Sequence, residues 1–192
     1  MTVQRSSSSP VAVIGAGPVG LAAASHLLQR GLPVVVLEAG DGVATHLGSY
    51  RQVRLFSPWR YNIDRAAREL LDATGWVAPD PEALPTAGEL VDDYLAPLAR
   101  TAALAPHIHF GARVVAVSRD GFDKARTAGR EQADFVLQVR GAAGLRELRA
   151  RAVIDASGTW SQPNPLGVHG LPVPGEAEAR ARIVHGMPDV LG

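Results

Sequence analysis

The chain has 192 residues, 19 basic side chains against 19 acidic ones, a formal net charge of zero, and no cysteine. At roughly 150 residues per domain this length suits a single domain, large enough to bury its own core without staples. Lack of cysteine excludes disulfides, thiol redox chemistry, iron–sulfur clusters and cysteine-based zinc sites, and the balanced charge gives no drive toward nucleic acid or an anionic membrane.

In chain order, residues 1–9 carry Arg5 and the polar run Ser6 to Ser9 where the apolar core of a signal peptide should stand. They read as a disordered leader and point to a cytoplasmic protein. No apolar run nears the ~20 residues that a bilayer span needs. Val11 to Ile14 and Val34 to Leu37 are short apolar runs, each suited to a strand of a parallel sheet covered on both faces. Between them Val19 to Arg30 is rich in Ala and Leu and reads as a helix, with Gly31 as its C-cap. Asp41 to Tyr61 reads as a long irregular segment, and loops of that length are often functional. Asn62 to Thr74 reads as a helix closed by Gly75. Thr86 and Glu89 have the spacing of a capping box, opening a helix toward Leu104 that Pro97 should kink or break. Ile108 to Phe110, Ala112 to Val117, Phe135 to Val139 and Leu145 to Ala150 are strand-like, and Ala152 to Ala156 reads as another buried strand. Past Trp160 the chain is rich in Pro and Gly.

The most informative stretch is Gly15-Ala16-Gly17-Pro18-Val19-Gly20. A GxGxxG hexamer alone is weak, but this one leaves a predicted strand and opens a predicted helix, and Glu38 ends the next strand. Each position has a physical task. Gly15 permits the tight turn, Gly17 lets a pyrophosphate approach the backbone, and Gly20 lets helix and sheet pack closely. The helix start, with Pro18 in its first position and Val19 carrying the first free amide, offers N–H groups and the positive end of the dipole to phosphates. Glu38, followed by Ala39, can accept hydrogen bonds from ribose hydroxyls, and its charge disfavours a 2′-phosphate. The site therefore suits FAD or NAD rather than NADP.

With the fingerprint from Val11 to Glu38 goes a second stretch, Ala152-Val153-Ile154-Asp155-Ala156-Ser157-Gly158-Thr159-Trp160. Together they resemble the N-terminal FAD-binding part of flavin-containing monooxygenases and of pyridine-nucleotide-dependent flavoprotein oxidoreductases. The second stretch is similar to the apolar strand ending in Ala-Thr-Gly that these proteins place beside the flavin, with Ser157 in place of Thr. Pro163 to Gly167 is similar to the segment that follows in the monooxygenase-like branch. The resemblance covers residues 10–192 and implies an α/β, Rossmann-like FAD-binding fold: a parallel sheet flanked by helices plus an antiparallel β-meander near 112–118, 134–140 and 145–150. It implies adenine contact through the backbone of Val114 or Val115, and flavin-side contacts from Ala156, Ser157 and Gly158. It also puts the isoalloxazine near the loop Leu55 to Arg60, so Phe56 and Ser57 are candidate flavin-edge residues. Arg51 and Arg54 are weaker candidates for the pyrophosphate.

The departures carry equal weight. No second GxGxxG for NAD(P)H occurs in these residues, so the expectation is a domain lacking the second, NAD(P)H-binding unit, with NAD(P)H as reductant bound by another domain or chain. Asp41 to Gly48 differs from the Gly-Gly-x-Trp of many monooxygenases, and Arg182 to Gly186 does not match their Phe-x-Gly and downstream His. Catalytic residues stay unassigned. No metal is expected, since the six histidines lack ligand spacing. A non-catalytic FAD-binding module and an NAD-binding dehydrogenase-type domain stay open as alternatives. Association into a homo-oligomer is expected through a face that a missing domain would otherwise cover.

Overall fold

In the computed structural model, residues 9–190 are described. The expected leader thus lies outside the described residues apart from Ser9, which is tied down: its hydroxyl donates to buried Asp134 at 2.9 Å. The parallel sheet has four strands in the order β3-β2-β1-β7, with β1 Val11–Ile14, β2 Val34–Leu37, β3 Ile108–His109 and β7 Ala152–Asp155. Val11 lies opposite both Val34 and Ala152, and Ile14 opposite both Leu37 and Asp155. The two central strands are the two most apolar runs, as a sheet covered on both faces requires. By contrast β7 is only half-buried and ends exposed. The sequence reading expected it buried, but it pairs with β1 alone and forms the sheet edge.

Strand alternation sends side chains to two separate cores. Val13, Val34 and Val36 face the helical layer, where they meet Leu21 and Ala24 of α1 (Pro18–Gln29), Ala67 and Leu71 of α4 (Arg65–Asp72), and Leu95 and Leu98. Ala12, Val35 and Leu37 face an antiparallel meander and meet Ala112, Leu137, Val139 and Ala150. The meander is built from β4 Arg113–Arg119, β5 Phe135–Gly141 and β6 Gly144–Ala150. The expected parallel sheet, flanking helices and meander are therefore all present.

Three stretches depart from the sequence reading. The segment after β2 is not wholly irregular, since it carries the short turns α2 (Thr45–Gly48) and α3 (Trp59–Asn62). The helix expected from Asn62 starts later, because Asn62 donates back to the carbonyls of Ser57 and Pro58 while Asp64 caps α4 by accepting from the Ala67 amide at 3.1 Å. The third is the helix opened by the Thr86–Glu89 capping box, which is present as expected. It is not broken at Pro97, and it ends at Ala99, short of Leu104. It runs as α5 (Ala87–Glu89), a π-helical stretch Leu90–Leu95, and α6 (Ala96–Ala99). Pro97 has no N–H for the carbonyl of Asp93, four residues back. The Trp76 indole supplies the missing donor at 2.7 Å.

Candidate dinucleotide-binding site

A cavity of about 710 Å³ opens along the C-terminal ends of β1, β2 and β7, where ligands of open parallel sheets bind. Its floor is the turn from β1 into α1. The three glycines of that turn are glycine for three different reasons. Gly15 has φ +98°, and a Cβ there would lie 2.8 Å from the Ala156 carbonyl oxygen. At Gly20 a Cβ would lie 2.0 Å from the carbonyl oxygen of Gly15, so α1 is pressed onto the turn. Gly17 has ordinary backbone angles and nothing within 4 Å of where a Cβ would be. It lines the cavity, so its missing side chain leaves room rather than relieving a clash. Gly17 is also the N-cap of α1, and no side chain caps that end. An uncapped twelve-residue helix beginning at a cavity presents amide donors and a positive dipole end to whatever enters.

Glu38 stands beside this turn and is only 9% exposed. One carboxylate oxygen accepts from the Ala16 amide at 2.7 Å and the other from the Gly40 amide at 2.8 Å. Glu38 thus braces the glycine turn. A carboxylate has about four acceptor sites, so lone pairs remain for hydroxyl donors from the cavity. A second brace is the Ala44 amide, which donates to the carbonyl of Ala16 at 3.1 Å. To do so Ala44 adopts φ +52°, the one left-handed non-glycine residue among those described.

The meander forms the opposite wall through Arg113 to Val117. Val114 pairs with Val139 and Ala116 with Gln138, so Val115 is the extra residue of a β-bulge with no partner across the ladder. Bulges re-aim the chain next to sites. Both Val114 and Val115 line the cavity, and the backbone of Val115 is the one released from strand pairing.

The remaining wall is the end of β7, with Asp155 and Ala156 to Gln162. The Ser157 hydroxyl and amide both donate to Asp155, at 2.6 and 3.0 Å, and hold its carboxyl below the usual range. Against this wall, at Trp160, stands Tyr50, whose phenol burial pushes up.

Of the residues singled out in the sequence, Gly15, Gly17, Pro18, Glu38, Ala39, Val114, Val115, Ala156, Ser157 and Gly158 come together around one cavity. Val19 points to solvent, and Gly20 is buried against Gly15. Phe56 and Ser57 are not brought to the cavity. Trp59 is buried in the helical core and Ser57 bonds to Asn62, so the turn is anchored with Phe56 outward and 99% exposed. Arg51 pairs with Asp92, and Arg54 donates to the Leu84 carbonyl. Sequence reasoning did not assign a role to Thr45, His46, Tyr50 or Trp160, which line the cavity from α2 and from loops with no periodic signal.

A parallel sheet, a glycine turn into a helix, an acidic residue closing the second strand, and a meander crossing before the last parallel strand define an FAD-type dinucleotide domain. Comparison with known proteins agrees. Residues 10–84 match the family described as FAD dependent oxidoreductase. Indole-3-pyruvate monooxygenase YUCCA1 of Oryza sativa subsp. japonica is 34% identical over 164 residues, which are 83% of this chain and 34% of that protein. Among solved structures, FAD-bound OTEMO superposes with a TM-score of 0.60 at 22% identity, over 86% of this chain and 28% of that one. Bacillithiol disulfide reductase Bdr of Bacillus cereus superposes with a TM-score of 0.63 at 22% identity, over 88% of this chain and 44% of its own. Residues 10–84 are thus similar to FAD-dependent oxidoreductases, and most of the chain is similar to a monooxygenase. The chain spans about a third of the length of the curated relative it matches.

Proposed function

We propose that this chain binds FAD along the cavity and serves as the flavin-binding part of an NAD(P)H-dependent oxidoreductase of the monooxygenase kind. One observation carries the reading. The uncapped start of α1, with open space at Gly17, faces the same cavity as Glu38 and the bulged edge of an antiparallel meander. A nicotinamide-binding domain of dehydrogenase type would continue with strand–helix units where the meander stands, which favours FAD over the NAD alternative.

The roles follow from the chemistry of each group. The Gly17 backbone and the first amides of α1 take the pyrophosphate. Glu38 accepts from ribose hydroxyls with the lone pairs that Ala16 and Gly40 leave free. The unpaired backbone of Val115 meets the adenine edge. Ala156, Ser157 and Gly158 flank the flavin half, with Ser157 fixed by Asp155. When bound, FAD supplies two-electron chemistry, taking hydride from a reduced nicotinamide and passing electrons to oxygen or another acceptor. The protein binds, orients and shields it. With no cysteine in the chain, a dithiol acceptor within it is excluded.

The nicotinamide site comes from a second domain or chain. OTEMO, which superposes on this fold, has been solved with both FAD and NADP. Among the described residues no helix is long and apolar enough to cross a membrane. We place the protein in the cytoplasm and infer self-association. Sedimentation velocity at two concentrations tests the latter, and a concentration-independent monomer refutes it.

The principal test is reconstitution. Protein incubated with FAD and desalted should be yellow and release close to one FAD per chain on heating. Colourless protein that instead retains NAD would overturn the assignment.

A further inference from the structure

The cavity is lopsided in chemistry. One end is the bulged edge of β4, the middle is the glycine turn with Glu38, and the far end is aromatic. There Tyr50 and Trp160 both line the cavity, with ring centroids 4.7 Å apart and planes inclined at 40°. The two come from segments distant in sequence, one following β2 and one following β7. Trp160 is held from behind as well. A Cβ at Gly186 would lie 2.9 Å from the indole Cζ2, so only glycine fits there, and Gln52 donates to the neighbouring Met187 carbonyl at 3.2 Å. Trp160 is nonetheless 37% exposed, so the indole is fixed in place yet not enclosed.

A dinucleotide with its pyrophosphate at Gly17 and its adenosine ribose at Glu38 has its adenine directed to β4. Its other half must then pass Ala156 to Gly158 and end at the aromatic pair. Resting on the FAD reading, we propose that Tyr50 and Trp160 form an aromatic wall in van der Waals contact with the isoalloxazine ring. Their role is to fix the ring's position and to discriminate in favour of a large flat heterocycle.

The wall has a spectroscopic consequence that does not require turnover. An excited flavin in contact with an indole or phenol takes one electron from it, and the electron returns to the ring that lost it. No net oxidation occurs, but the emission is lost. FAD held extended without an aromatic neighbour should be brighter than free FAD, because adenine no longer quenches it.

The experiment compares reconstituted wild type with the double variant Trp160→Phe/Tyr50→Phe. Phenyl rings keep most of the packing but are not oxidised by excited flavin. Emission is normalised to the FAD released on heating. Wild type should be dimmer than free FAD, and the double variant, still carrying FAD, should be at least severalfold brighter per bound flavin. Trp160→Leu should weaken FAD binding by roughly tenfold, the scale of losing one stacking partner. Bright flavin in wild type, or equal dimness in a double variant that retains FAD, overturns the wall. If the double variant sheds FAD, each single variant carries the comparison, and bright wild-type flavin still overturns the wall. Wild type that holds no FAD sinks the FAD reading itself, an outcome seen in the pigment count before any emission is measured.

Discussion

Glu38 is the residue whose replacement tests the bracing of the glycine turn apart from the ligand. In Glu38→Gln one side-chain oxygen survives, while the other becomes an NH2 facing a backbone amide. Either the Ala16 or the Gly40 amide then loses its acceptor at a site only 9% exposed. A hydrogen bond to a charged group contributes about 1.5–3 kcal/mol, and a buried donor left unpaired costs about 1–3 kcal/mol. The two descriptions overlap, so we expect a loss of about 2–4 kcal/mol in the FAD-free protein. That is a large share of the roughly 5–15 kcal/mol that holds a domain folded. At about 2–4 °C per kcal/mol for a chain of this size, the midpoint should fall by at least about 4 °C. The assay is urea and thermal unfolding of protein stripped of flavin. If Glu38→Gln unfolds within about 0.5 kcal/mol of wild type yet no longer holds FAD, Glu38 serves the ligand alone and the bracing argument fails.

Gly17→Ala should fold with nearly unchanged stability and lose FAD retention, since its Cβ enters open cavity. Gly20→Ala should cost about 1–3 kcal/mol by overpacking against Gly15, with or without flavin, and chemical denaturation of both variants checks the contrast. Burial raises the Asp64 carboxyl, but the Ala67 amide, His26 and the Ala66 amide outweigh it and leave the pKa lowered. Its stabilisation is therefore present above the unfolded value near 3.8 and is lost as pH falls through the lower folded value. Asp64→Asn should flatten that acid slope, and an unchanged slope would refute the attribution. Burial pushes the Tyr94 phenol up to about 12, with the Asp64 amide pulling it down and the Asp64 charge pushing it up. Stability should then decline from pH 10 toward 12 as the unfolded phenol ionises first, and Tyr94→Phe should remove that part of the decline in alkaline melts. Trp76→Phe should cost about 1 kcal/mol by leaving the Asp93 carbonyl without a donor, and less in a Pro97→Ala background; equal costs in a double-mutant cycle would refute the link.

The parallel part of the fold was readable because its strands are apolar runs and its first turn carries glycines whose spacing has a mechanical reason. Glu38 was readable for the same reason, though its first task in the structure, bracing Ala16 and Gly40, was not. The bulge at Val115 was not legible, and Val114 and Val115 stood as equal candidates for the adenine contact. Phe56 illustrates the opposite limit. Its neighbourhood is rich in aromatics and arginines, which suggests a ligand, yet burial of Trp59 decides which way the turn faces. Tyr50 and Trp160 were invisible as a pair because 110 residues separate them and neither lies in a periodic element. The π-helical stretch escaped because the donor that makes Pro97 tolerable comes from Trp76, outside the helix.

The position of β7 at the rim of the sheet has a consequence for handling the protein. Its outer row of amides and carbonyls has no ladder partner among the described residues, and its side chains are three apolar groups and a single acid, Asp155. Such an edge is a template for strand addition. Its outward amides should exchange with solvent deuterium far sooner than those of β1, which is flanked on both sides. At high concentration the same edge is where one molecule would recruit strands from another.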